Sequence, residues 1–109
     1  MLRLKAGVKL RHLQPPLVLA ITGTCVPLFA DFGLDCTVTS CNDSKHSATS
    51  LHFSGCAVDL RTRHIPTTTD KKLTRDRLND ALGDDFDVLL EGEGTPNEHI
   101  HLEWQPKGS

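Results

Sequence analysis

Two segments of this 109-residue chain put imidazole and carboxylate groups at spacings that could serve one metal ion. The first is S-L-H-F-S-G-C-A-V-D-L, residues 50 to 60, in which His52 precedes Asp59 by seven positions. Gly55 permits a sharp bend between them, so His52 can lie on a loop while Asp59 sits on the strand that follows. Along that strand Cys56, Val58 and Leu60 would face a core, and Ala57 and Asp59 would face away from it. The second segment is E-H-I-H-L-E-W, residues 98 to 104, where His99, His101 and Glu103 share one strand face and Ile100, Leu102 and Trp104 the other. If the two strands are neighbours, two imidazoles and one carboxylate converge. That is a catalytic zinc set with a fourth position left for water. Manganese or cobalt would accept the same ligands. The metal would bring the pKa of the water to about 7, and a nearby carboxylate outside the ligand set would take its proton. Glu98, three residues before His101, is the natural candidate. Glu103 comes second, better suited to orienting a ligand. His12, His46 and His64 read from spacing alone as ordinary surface or core histidines, and Asp59 could equally cap a turn.

The elements that must position these groups follow from periodicity. Residues 2 to 13 alternate Leu2, Leu4, Val8 and Leu10 and predict an extended segment. Pro15 and Pro16 suit a first helical turn, and the helix should run to about Phe32 with Gly33 as its stop; Pro27 should kink it or split it. Leu34 to Ser40 reads as a strand, Cys41 to Ser50 as a loop, and Cys56 to Leu60 as a buried strand. Thr67 to Asp70 can cap a second helix over Leu73, Leu78, Ala81 and Leu82 that ends at Gly83. Phe86 to Leu90 is the next strand, Gly92 to Asn97 a turn-rich loop, and Glu98 to Trp104 the last strand. This order predicts one α+β domain with a mostly antiparallel sheet and two main helices packed on it.

Composition narrows the partners. Hydrophobic residues make up 38% and charged residues 24%, an ordinary globular balance, and a net charge of −2 gives no reason to expect nucleic acid or an anionic membrane. Arg3, Lys5, Lys9 and Arg11 crowd the start and read as a solvated basic edge. The basic start followed by the apolar run Leu17 to Ala30 superficially resembles a secretory signal, but the strand-like alternation, the paired prolines, Gly23 and Pro27 argue against one. No stretch is clean enough to span a membrane. Of the four cysteines, Cys36 and Cys41 are the only pair close enough to suspect a bridge; reduced thiols are expected.

The residues Ser50, His52, Gly55, Ala57 and Asp59 match S-x-H-x-x-G-x-A-x-D, and Glu98 with His101 matches a later acidic-x-x-His. Together they resemble the zinc D-alanyl-D-alanine carboxypeptidase and L-alanyl-D-glutamate endopeptidase family, which shares its fold with the signalling domain of hedgehog proteins. D-L-R-T-R (59 to 63), L-G-D-D-F-D-V-L-L-E (82 to 91) and H-I-H-L-E-W look like short phage or prophage members. The resemblance implies zinc on His52, Asp59 and His101, with Glu98 as general base. It also implies that Ser50 contacts substrate or supports a ligand, and that His99 helps stabilise the tetrahedral intermediate. Family members usually carry an arginine after the T-S of the preceding strand, where it steadies a substrate carbonyl or carboxylate. Here Thr39-Ser40 is followed by Cys41, Asn42 and Asp43, so Lys45 or His46 would have to substitute, without arginine's two-pronged grip.

The expected activity is therefore hydrolysis of an amide bond in peptidoglycan stem peptides, by a monomer held in the producing cell and acting on the wall after release. The phage-like segments favour an endopeptidase cutting between L-Ala and D-Glu or at a cross-link. The alternatives are removal of terminal D-Ala, a virion component that eases DNA entry, and a zinc-stabilised binding domain without catalysis.

Overall fold

The computed structural model describes residues 1–10, 13–41 and 57–105. Five strands and two helical arms are laid out in the order β1 (Leu2–Leu4), α1 (Pro15–Ala20), a π-helical turn (Ile21–Cys25), α2 (Val26–Asp31), β2 (Cys36–Ser40), β3 (Ala57–Arg61), α3 (Thr68–Leu82), β4 (Phe86–Glu91) and β5 (His99–Trp104). The sheet order is β1-β2-β3-β5-β4. Three of its pairings are antiparallel, and β1 runs parallel to β2 at one edge, so the sheet is mixed. The opening strand is shorter than the alternation predicts. A turn in which Val8 N–H bonds the Lys5 carbonyl, with Gly7 at φ 87°, ends the pairing and folds Val8 into the core.

Pro27 neither ends nor splits the first helical arm. The chain widens into a π turn just before it, where Val26 N–H reaches back to the Ile21 carbonyl. A proline ring collides with the carbonyl four residues earlier, here Gly23, and a wider turn moves that carbonyl aside. The same widening keeps one face inward. Leu17, Ile21, Cys25 and Phe29 recur every four residues and are all buried. At about 100° per residue such a series would drift around a plain α-helix, and the π turn takes the drift back. Gly33, at φ 72°, follows the arm as expected.

The second helix starts where Thr67 Oγ1 accepts a bond from Asp70 N–H at 3.0 Å, and it stops at Gly83, φ 79°. Its inner face is carried by Thr74 and Leu78, whereas Leu73 is 39% exposed. Both arms pack on the sheet face made by Val38, Val58, Leu60, Ile100 and Leu102, in one core. The apolar run Leu17 to Ala30 thus covers the sheet, and among the described residues no helix is long and apolar enough to cross a membrane. Cys25 and Cys36 are buried thiols, and Cys36 is not bridged to Cys41. Burial pushes the Cys36 thiol up to about 12, and burial followed by the neighbouring Cys36 pushes Cys25 higher still, so neither is a nucleophile at neutral pH.

Candidate metal centre

β3 and β5 lie side by side with Asp59 directly opposite His101 and Arg61 opposite His99. On the far side of β5, Glu91 of β4 is opposite His99. Strand alternation then does the sorting. Val58, Leu60, Ile100 and Leu102 enter the core, while Asp59, Arg61, His99, His101 and Glu103 share the face turned away from the helices. Ala57, small and buried beside Glu103 in the register, belongs to the same face.

His101 Nδ1 lies 2.9 Å from Asp59 Oδ1, and His99 Nε2 lies 3.6 Å from the same oxygen. Asp59, His99 and His101 each offer a ligand atom, and these atoms all fall within 4.8 Å of one another. Around a tetrahedral ion with ligand distances of about 2.0–2.2 Å, neighbouring donors stand about 3.3 Å apart. The 2.9 and 3.6 Å contacts bracket that spacing. These three side chains form a cluster that could hold a metal ion.

The opposite edges of the rings are fixed. His101 Nε2–H donates to Glu103 Oε1 at 2.5 Å, and Gln105 Nε2–H holds the other oxygen of Glu103 at 2.7 Å. His99 Nδ1–H donates to the Asn97 carbonyl at 2.7 Å, and its Nε2 lies 3.0 Å from Glu91 Oε1. A carboxylate on Nε2 leaves the Nδ1 lone pair of His101 for a metal on the Asp59 side, whereas His99 Nε2 is shared between Glu91 and Asp59. Without a metal, the acceptors on both nitrogens of His101 favour its imidazolium. His101 is 8% exposed, and its burial, the largest single influence, works to lower its pKa. Hydrogen bonds to Asp59 and Glu103, with the charges of both, outweigh that burial and raise it to about 9.

Glu98 stands at the mouth of the sheet, where β3 leaves and β5 enters. Lys71 Nζ of α3 lies 2.6 Å from its Oε1, Thr62 Oγ1–H donates to the same oxygen at 2.7 Å, and Gly94 N–H donates to Oε2 at 2.9 Å. Its side chain is only 7% exposed. The Lys71 bond first, then Gly94 and Thr62, hold its pKa down to about 2, so as it stands Glu98 is a firmly anionic, weak base. Asp59, Glu98 and His99 line one open cleft of about 720 Å³ together with Lys5, Arg61, Arg63 and Lys71.

Of the groups singled out in the sequence, the fold brings Asp59, His99 and His101 together, ties Glu103 to His101, and sets Glu98 on the same cleft. His52, Ser50, Lys45 and His46, like Gly55, Cys56 and His12, lie outside the described residues. His64, given no role by its spacing, stacks on Phe29 and meets the Asp35 carbonyl through Nε2 at 2.7 Å. Glu91 and Lys71 were not legible as site residues. Glu91 could have been found by pairing the last two strands across the Gly92–Asn97 loop, which sets it against His99. Nothing in the spacing of Lys71 points to Glu98.

No family model matches the chain, and neither a curated protein nor a solved structure matches it.

Proposed function

We propose that this chain is a zinc-dependent peptidase that hydrolyses an amide bond in peptidoglycan stem peptides, between L-Ala and D-Glu or at a cross-link. The observation that carries the reading is the pairing of Asp59 with His101 across adjacent strands, at 2.9 Å and beside an open cleft. A donor set of two histidines and a carboxylate suits zinc, with His52 as the third member that the two-part motif implies. When bound there, such an ion would supply Lewis acidity toward the scissile carbonyl and lower the pKa of a water beside it. Asp59 and His101 would hold it, with Glu103 on His101 Nε2 keeping Nδ1 toward Asp59. His99 faces the same point and supports the charge that develops on the carbonyl oxygen. Glu98 receives the water's proton and returns it to the leaving amine, which requires the Lys71 contact to loosen in the loaded enzyme. Release onto the wall from the producing cell goes with this reading.

One observation favours a second reading, a zinc-stabilised binding domain: a carboxylate held near pKa 2 is ill-matched to proton transfer at neutral pH. Zinc content and release of free amino groups from purified cell walls, measured for wild type and Glu98→Ala, separate the two. The peptidase reading expects both proteins to hold zinc and the variant to lose about 100-fold or more in rate. Equal rates would remove Glu98 from the mechanism, and zinc without amine release in the wild type would favour the binding domain. Masses of the released fragments distinguish an endopeptidase from removal of terminal D-Ala.

A further inference from the structure

The cleft is lined by two carboxylates and four cations, and both carboxylates are engaged within the fold. Asp59 faces the two histidines, and Glu98 is held by Lys71, Thr62 and Gly94. That leaves Lys5, Arg61 and Arg63 on the same cleft with no acidic partner among the described residues. Cations in excess of carboxylates within one concavity set up a field that an anionic ligand can answer.

Arg61 is the best placed of the three. It lies on the same face of β3 as Asp59, two residues further along, and directly opposite His99. Two residues of strand amount to about 7 Å. Its side chain is half-buried, so part of its hydration is already lost, whereas Lys5 and Arg63 are exposed. A guanidinium presents two parallel N–H groups that match a carboxylate, which a lysine cannot do.

We propose that Arg61 is the specificity-determining residue of an anionic subsite that grips a free carboxylate of the peptide, on a residue within two positions of the scissile amide, with Lys5 and Arg63 adding charge at the rim. This rests on the peptidase reading for the term scissile, but not for the binding itself. An extended peptide advances about 3.3–3.6 Å per residue, so the strand distance between Asp59 and Arg61 sets the two-residue span. Stem peptides carry such carboxylates, on D-Glu and at the terminal D-Ala.

The test uses the zinc-loaded full chain and pairs of stem peptides identical except that this carboxylate is either free or converted to the carboxamide. The free acid should be cut with a kcat/KM about 10- to 100-fold above the amide, mostly through KM. Arg61→Gln should bring the two together by lowering only the acid's value, and Arg61→Lys should restore part of the preference. No preference in the wild type, or an equal loss on both peptides in Arg61→Gln, would overturn the proposal. Binding is read separately, from the shift of the Arg61 Nε–H resonance with N-acetyl-D-alanine, its carboxamide and inorganic phosphate. If no peptide is cut, the hydrolase reading fails, yet a shift with the acid and not the amide would still support the subsite. A response to phosphate as strong as that to the acid would reduce the patch to an unselective anion site and overturn it.

Discussion

At the residue scale, the unit to explain is a relay that runs from Gln105 through Glu103 to His101 and then to Asp59. Each member fixes the orientation of the next, so the imidazole presents its Nδ1 to Asp59. Partners of this kind are worth about 10- to 100-fold in metal affinity. Glu103→Ala should therefore weaken zinc by that factor in chelator competition, while Asp59→Ala should abolish binding. An unchanged affinity in Glu103→Ala would show that the ring needs no such support. Much of the relay was legible, because alternation in E-H-I-H-L-E-W already set His99, His101 and Glu103 on one face. What could not be read was the grip of Lys71 on Glu98, since it joins a helix and a loop that are distant in sequence and carries no periodic signal.

At the scale of elements, the site depends on the β4–β5 hairpin and its Gly92–Asn97 loop. Gly92 has φ 65°, and a methyl group there would come within 3.1 Å of Thr95 Oγ1 and 3.2 Å of the Asn97 carbonyl, the group that holds His99. Gly94, at φ 77°, would meet nothing. Either glycine to alanine costs about 1–2 kcal/mol for the left-handed backbone. Gly92→Ala should cost more than Gly94→Ala in urea unfolding. Equal costs would mean that Thr95 and Asn97 yield freely. The strands β2 to β5, the Thr67 cap and the Gly83 stop follow from local pattern, whereas β1 is cut short by the turn at Gly7. The π turn and the parallel β1 do not: the first answers a collision at Pro27 together with the need to keep Phe29 inward, and the second is a tertiary pairing that alternation cannot announce.

At the scale of the whole molecule, the separation of faces makes stability depend on pH. A group whose pKa is raised by folding stabilises the fold fully below its unfolded value and loses that contribution as pH climbs through the folded one. For His101 the window runs from about 6.5 to about 9. The metal-free protein should therefore melt at falling temperature across that range, and His101→Gln should flatten the slope. A wild-type melting temperature that does not change there would show that Asp59 and Glu103 do not hold the charged ring.

The donors on β3 and β5 meet across 42 residues of chain. On the zinc reading proposed above, an unfolded chain has no preassembled cage, so free ion would engage the native form alone and mass action would draw the population toward it. Beyond saturation, each tenfold rise in free zinc should add about 1.4 kcal/mol to the unfolding free energy. A zinc titration followed by melting would read this coupling directly, and a flat response would count against a native zinc site.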